Sequence, residues 1–221
     1  MSLVAFAAER LFNGLRYLPP QLLLLPRTLT QSHSDTDDAE YRKNKQRRAR
    51  WRDMYVLGWI GLALVGMAIC LGGLPVRRAV AGTVCALAAS RVIDIIQSTV
   101  NIAVFDRLRA PAGTYRITSL VRSFVLSTIN YFELLLWFAL VYAMNPTLLQ
   151  AEGKPVDSFW DCLYFSIATQ LTVGYGDVLP EGAGRSIASF QALTGFFFSL
   201  LILGRIISLF PRPASVIQDD E

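Results

Sequence analysis

The residues best suited to chemistry form one stretch at 169–177, with the sequence TQLTVGYGD. It lies between an apolar, aromatic stretch at 159–167 and a long apolar stretch at 187–210. Gly174 and Gly176 adopt left-handed backbone conformations at little steric cost, so successive carbonyl groups can turn toward one axis. Stacked rings of backbone carbonyls replace the hydration shell of a cation. The stretch therefore predicts an ion path lined by main-chain oxygens.

The stretch follows the pattern Thr-x-x-Thr-x-Gly-Tyr-Gly-Asp in full, and membrane-spanning patterns flank it. In this the chain resembles the tetrameric pore-loop potassium channels; the alternative is a glycine-rich turn that matches by chance. The resemblance implies a selectivity filter. Its ion-binding residues are Thr172, Val173, Gly174, Tyr175 and Gly176, with K⁺ held between the carbonyl groups of the first four. Relatives with Asp in place of Tyr175 are poorly selective, so the tyrosine favours K⁺ over Na⁺.

Residues next to the filter are expected to support it. The resemblance places Asp177 behind the outer mouth, bonded to the short helix that precedes the filter. Many relatives have a tryptophan pair on that helix, and here Tyr164 is the natural phenolic partner. Some bacterial relatives carry a glutamate where this chain has Ala168, which argues against a glutamate-based slow inactivation. Thr169 completes the supporting set.

The composition indicates a membrane protein. Of 221 residues, 53% are hydrophobic, and the mean hydropathy is +0.40, which is more apolar than an ordinary soluble domain of this size. Cys70, Cys85 and Cys162 have no metal or redox spacing and are interpreted as small buried hydrophobes, with a Cys70–Cys85 disulfide as the alternative. With His33 the sole histidine and no nucleophile–base pair visible, we expect no enzyme and no cofactor.

Four stretches are each long and apolar enough to span a bilayer: 54–74, 78–105, 117–144 and 186–210. Before the filter, Pro155, Asp157 and Ser158 form a helix start signal that predicts a pore helix over 158–171. Non-helical backbone at membrane depth must be buried in protein or line water, so the filter requires an oligomer. The predicted fold is an all-α membrane protein. Each subunit has four transmembrane helices, a re-entrant pore helix and a filter, in a homotetramer around a central pore.

Charge and breaks in the apolar pattern divide the chain into four parts. They are a cytoplasmic N-terminal region at 1–52 (an amphipathic helix and a charged linker), a two-helix transmembrane unit at 53–113, a pore domain at 114–211 and a short cytoplasmic tail at 212–221. The basic run from Arg42 to Arg52 directly precedes the first span. It is therefore expected to contact anionic lipid headgroups rather than nucleic acid.

The filter also predicts the orientation of the chain. It must open to the outside, which places 145–157 and 177–185 outside and both termini in the cytoplasm, in a cell (plasma) membrane. The basic run before the first span agrees with the excess of Lys and Arg on cytoplasmic loops, as do the arginines that follow the second span. Arg77 and Arg78 fall on the outside and disagree.

Two glycines in the last helix are candidates for a gating hinge. Gly195 lies about where relatives bend the inner helix to open the gate, and Gly204 is a second candidate lower down. The alternative for either is close helix packing, because glycine is common at membrane helix contacts, and we interpret Gly204 as a packing position.

The second helix carries charges at membrane depth, where they are costly and usually face protein or water. Arg91 lies near mid-span, Asp94 is one turn away, and Glu133 has a similar depth in the third helix. We predict an Arg91–Asp94–Glu133 cluster that ties the first two helices to the pore unit. The alternative is an internal Arg91–Asp94 pair facing a neighbouring helix. A single mid-span arginine argues against steep voltage gating.

The predicted function is a potassium-selective channel that conducts K⁺ passively. One alternative is a non-conducting or modulatory subunit of a mixed potassium channel, against which the intact filter argues. The other is a subunit of a potassium uptake transporter, against which the single filter copy argues. The sequence leaves the gating stimulus open.

Overall fold

The computed structural model of the chain describes residues 38–72, 74–100 and 120–209. The predicted amphipathic helix at 2–18, the tail at 212–221 and the arginines between the second and third spans lie outside the described residues. Five α-helices occur in the described part: α1 (Asp38–Leu71), α2 (Leu74–Val100), α3 (Leu120–Met144), α4 (Phe159–Gln170) and α5 (Ala183–Leu209).

Four of these helices contain a segment long and apolar enough to cross a membrane. The segments are Asp53–Leu71, Val76–Thr99, Phe124–Met144 and Ala183–Gly204. They correspond to the four predicted spans, and the all-α prediction is confirmed for this part of the chain. With 12 residues, α4 is too short to cross and corresponds to the predicted pore helix.

The first two helices begin earlier than the apolar pattern indicates. Residues 38–41 fall within the predicted charged linker, yet they belong to α1. The basic run after them is helical too, because Ala, Glu, Lys, Gln and Arg are strong helix formers. The second predicted span begins at residue 78, yet α2 begins at Leu74 and includes Pro75. Proline fits the first turn of a helix, where its missing N–H has no intrahelical partner.

Three short strands that were not predicted lie between α3 and α5. A 3₁₀ turn at Pro146–Leu148 leads into β1 (Leu149–Ala151), followed by β2 (Lys154–Pro155) and, after the filter, β3 (Val178–Pro180). The order is β2-β1-β3, and both pairs are antiparallel. Glu152 and Gly153 both have positive φ, at 51° and 73°, which suits the tight two-residue turn between β1 and β2.

The third helix is the centre of the fold, and α1, α2, α4 and α5 all pack against it. Its inner face contributes Leu134, Trp137 and Leu140, which are almost fully buried. The three cysteines are free thiols, so the alternative Cys70–Cys85 disulfide is not formed. Two of them are buried and the third is half-buried, as expected for small apolar residues.

Candidate functional site

The short helix α4 points its C-terminal end at the filter stretch. Ser158 is its N-cap residue, in an extended conformation, and the helix ends where the Leu171 amide donates to the Ile167 carbonyl at 2.9 Å. Asp161 lies in the first turn, where a negative charge is favourable beside the positive end of the helix dipole. The helix thus lies within one residue of the bounds predicted at each end.

The backbone of the filter stretch alternates in hand. Thr172, Gly174 and Gly176 have positive φ values of 57°, 59° and 81°, whereas Val173 and Tyr175 do not. This alternation is the one expected for carbonyl groups that turn toward a common axis. It begins at Thr172, two residues before the first glycine. A non-glycine residue in the left-handed region costs about 1–2 kcal/mol, so the surrounding contacts must hold Thr172 in place.

The main chain of α4 supplies those contacts. The Ala168 carbonyl accepts hydrogen bonds from the Val173 amide at 2.8 Å and from the Gly174 amide at 3.3 Å. The Thr172 amide donates to the Thr169 carbonyl at 3.2 Å. From the sequence, Ala168 was considered only for its side chain, which is not a glutamate. In the structure its carbonyl oxygen, together with that of Thr169, bonds the filter to the helix.

The outer end of the filter is fixed by side chains. The Tyr164 hydroxyl donates to Asp177 Oδ2 at 2.8 Å, and the other oxygen of this carboxylate accepts from the Val178 amide at 3.1 Å. The rings of Tyr164 and Tyr175 are stacked, with centroids 5.9 Å apart and an interplanar angle of 11°. The structure thus brings together the predicted Tyr164–Asp177 pair and places the Tyr175 ring against the supporting helix.

The filter stretch lies open on one side of the single chain. Every residue from 171 to 177 is exposed, and the exposed fraction is 49% for Val173 and 71% for Tyr175. The helix α5 also carries exposed apolar and aromatic side chains, among them Leu193 at 70% exposed and Phe196 at 58%. An irregular backbone with such surroundings needs further protein to cover it when it lies at membrane depth.

A buried polar network behind the filter was not predicted. The Gln191 amide on α5 donates to Ser166 Oγ at 2.7 Å and to the Ser166 carbonyl at 3.0 Å, while its oxygen accepts from the Tyr142 hydroxyl at 3.0 Å. The Gln170 amide donates to the Tyr131 carbonyl at 2.9 Å. Uncharged polar side chains within apolar spans were the available signal, because such groups join membrane helices.

The two glycine candidates on α5 have different surroundings. A Cβ atom added at Gly195 would lie 2.6 Å from Gln170 Cγ and 2.7 Å from the Gln170 carbonyl oxygen. Gly195 is therefore a close contact between α5 and the end of the pore helix. A Cβ atom added at Gly204 would meet no atom of the described residues within 4 Å. The packing interpretation of Gly204 thus has no supporting contact within that part of the chain, whereas Gly195 has one, and α5 continues as a helix through both positions.

The structure brings Arg91, Asp94 and Glu133 together between α2 and α3. Arg91 binds Glu133 with two parallel hydrogen bonds, from Nε to Oε1 at 2.6 Å and from Nη2 to Oε2 at 2.7 Å. Its Nη1 atom donates to Asp94 Oδ2 at 2.6 Å. All three side chains are buried, with at most 4% exposed. The two predicted arrangements, one across the helices and one within α2, are thus present at once.

Aromatic side chains close this charged cluster. The Tyr55 hydroxyl donates to Asp94 Oδ2 at 3.2 Å, and Trp137 Nε1 donates to Glu133 Oε1 at 3.1 Å. The Arg91 guanidinium carbon lies 5.3 Å from the ring centroid of Tyr55 and 5.5 Å from that of Trp59, within cation–π range. The first helix therefore joins the cluster as well, so both front helices contact the pore unit through it.

Comparison with known proteins matches residues 124–211 to a family described as "Ion channel". Potassium channel protein kcv of Paramecium bursaria Chlorella virus 1 is 31% identical over 75 residues, which are 32% of this chain and 80% of the viral protein. The chain belongs to the pore-loop potassium channel family. The part shared with this family begins within α3 and includes α4, the filter and α5, so the front helices α1 and α2 lie outside the match.

The chain is also similar to two further proteins. Protein LctB of Geobacillus stearothermophilus is 37% identical over 86 residues, 35% of this chain and 64% of that protein. The calcium-activated potassium channel slowpoke of Drosophila melanogaster is 40% identical over 70 residues, 28% of this chain and 6% of that protein. The chain thus spans just under two thirds of the LctB length. No solved structure matches significantly. The family and the four apolar helices make this a multi-pass membrane protein.

Proposed function

We propose that the protein is a potassium-selective channel that conducts K⁺ passively through a carbonyl-lined filter. The observation that carries this proposal is the alternating hand of the backbone at Thr172, Gly174 and Gly176. With every second residue left-handed, successive carbonyl groups are free to point to one side. K⁺ then binds between the carbonyls of residues 172–175, which substitute for its water shell. The negative C-terminal end of the α4 dipole favours the cation on its inner side.

The proposed assembly is a homotetramer around the filter. A carbonyl-lined path needs carbonyls on all sides, and one chain supplies a single strand of them. The exposed filter stretch and the exposed Leu193 and Phe196 side chains of α5 support this assembly, because further copies could cover them. The proposal needs K⁺ as the permeant ion but no cofactor, no nucleic acid and no enzymatic step.

The proposed location is the cell (plasma) membrane, with both termini in the cytoplasm and the three-stranded sheet outside. Arg47 and Arg50 support this orientation, since both are exposed on the part of α1 that precedes its membrane segment. Basic residues at that place are attracted to anionic headgroups by about 1 kcal/mol each. The run from Arg42 to Arg52 is accordingly proposed to bind the cytoplasmic lipid surface.

Ion flux into liposomes that contain only this protein tests the proposal. We expect flux of K⁺ and Rb⁺, little flux of Na⁺, and block by Ba²⁺. Gly174→Ala places a side chain at a φ of 59° inside the filter and is expected to abolish the flux. Gly182→Ala places one at a φ of 46° outside the filter, with open space around it, and is the matched control that should still conduct.

Equal Na⁺ and K⁺ flux through the wild type refutes selectivity. Absence of any flux from an assembled tetramer favours the alternative of a modulatory subunit over the channel. If both Gly174→Ala and Gly182→Ala lose the flux, the loss in Gly174→Ala cannot be assigned to the geometry of the filter.

A further inference from the structure

Two neighbouring arginines at the start of α2, Arg77 and Arg78, differ in burial. Arg78 is exposed, whereas only 4% of Arg77 is exposed. Both lie at the end of the helix proposed to be outside, where the distribution of basic residues in membrane proteins disfavours them. The guanidinium of Arg77 leaves its own helix, and Nη1 donates to the Asp157 carbonyl at 2.7 Å. Asp157 stands two residues before the first residue of the pore helix α4.

Burial of Arg77 is expensive for the fold. Its Nη2 atom is buried without a hydrogen-bond partner among the described residues, so one hydrogen bond to a neutral carbonyl is set against the desolvation of a full charge. The positive end of the α4 dipole adds repulsion at the same place. An apolar side chain of similar volume would fill this site at lower cost. The arginine therefore contributes something other than stability of the helix pair.

What the arginine contributes is a fixed point for the pore helix. The side chain of the N-cap residue Ser158 makes no capping hydrogen bond, so the first turn of α4 lacks the stabilisation that an N-cap side chain usually provides. The other end of α4 carries the Ala168 carbonyl, to which the Val173 and Gly174 amides of the filter are bonded. A 12-residue helix is a rigid connection between these two ends. Movement of its start is therefore transmitted to the filter.

We propose that Arg77 is a positioning residue that anchors the start of the pore helix to the front helices and thereby stabilises the conducting conformation of the filter. The functional half of this statement rests on the proposed channel function, and the structural half does not. Arg91 and Arg77 would thus both connect the front helices to the pore unit. Of these two arginines, only Arg77 contacts the segment that leads into α4, the helix that carries the filter.

Hydrogen exchange of the full chain in lipid nanodiscs, followed by mass spectrometry, tests the anchor without requiring ion flow. In Arg77→Met we expect the amides of residues 159–165 to exchange about tenfold faster than in the wild type, because a charge-assisted hydrogen bond is lost. Arg78→Met is the matched control, with the same chemical change one residue further along the same helix, and should leave the rate unchanged. Arg77→Gln, whose shorter side chain falls short of the carbonyl, should behave like Arg77→Met and serves if that variant does not assemble.

Arg77→Lys distinguishes the anchor from a general packing role. Since Nη1 makes the one hydrogen bond, a lysine, whose ammonium group can donate to the same carbonyl, should restore the slow exchange. In the liposome assay, Arg77→Met and Arg77→Gln should lower the K⁺-to-Na⁺ flux ratio about tenfold, whereas Arg77→Lys and Arg78→Met should not.

Equal exchange in the Arg77 and Arg78 variants overturns the anchor, as does failure of lysine to restore it. Faster exchange with an unchanged flux ratio overturns its effect on the filter. If the wild type carries no K⁺ while Arg77→Met still exchanges faster, the channel function fails and the structural anchor stands.

Discussion

Removal of the Arg91 charge is expected to cost more stability than removal of either carboxylate that it binds. The cluster holds one positive and two negative groups, so its formal charge is −1. It becomes −2 in Arg91→Met but 0 in Glu133→Gln, where the Arg91–Asp94 pair remains. A buried charge that loses its partner costs about 3–5 kcal/mol, which is our expectation for Arg91→Met. Glu133→Gln weakens hydrogen bonds without leaving a charge alone and should cost about 1–2 kcal/mol.

The double variant Arg91→Met/Glu133→Gln returns the formal charge to −1. Its cost should therefore fall below the sum of the single costs by about 2 kcal/mol, in the range found for residues in direct contact. Equilibrium unfolding in mixed micelles measures these free energies through tryptophan fluorescence. Trp59 and Trp137 both contact the cluster and report its loss directly. Arg50→Met, at an exposed position of α1, is the control and should change little.

Additive costs within about 0.5 kcal/mol refute the reasoning, because they would mean that Arg91 and Glu133 stabilise the fold independently. A Glu133→Gln variant as unstable as Arg91→Met would refute the charge argument in particular. The first result concerns the contact and the second concerns its electrostatics, so the two outcomes are distinguishable.

Two further predictions concern the pore unit. Gly195→Ala should destabilise the protein by about 1–3 kcal/mol because the new methyl group meets Gln170. Gly204→Ala, which meets no atom among the described residues, should be near neutral, and thermal unfolding of the purified protein in micelles measures both. Tyr164→Phe removes a hydrogen bond of 2.8 Å at the outer end of the filter and should cost about 1 kcal/mol. It should be visible as faster loss of K⁺ conduction at low external K⁺, and unchanged conduction would contradict a supporting role for the phenol.

Much of the architecture was predictable from the sequence because membrane helices and the filter rest on strong local signals. Long apolar stretches indicate the four spans regardless of how they pack. The short helix was predictable because its start signal at Ser158 is local. Gly174 and Gly176 indicate left-handed backbone because glycine, which has no Cβ atom, tolerates positive φ. The Arg91–Glu133 contact could be proposed because charged side chains at membrane depth are costly and usually pair with one another.

The remaining features depend on contacts that local patterns do not contain. Threonine has no preference for left-handed backbone, and Thr172 adopts it because the Ala168 and Thr169 carbonyls bind the surrounding amides. The strands depend on pairing between segments on opposite sides of the filter. Arg77 was visible as an exception to the charge rule for membrane loops, but the sequence could not show that the exception points at the pore helix.

The pairing of β1 with β3 has a consequence for the order in which the filter can form. Leu149 pairs with Pro180 and Ala151 pairs with Val178, so the sheet joins the two ends of the segment that dips into the membrane. The segment is then a closed loop. Pairing of the strands offsets the conformational entropy that the chain loses when the two ends of the loop come together. In the proposed tetramer, neighbouring subunits would meet a loop whose two ends are already fixed. The cost of assembly would then be reduced to aligning loops that each chain has closed by itself.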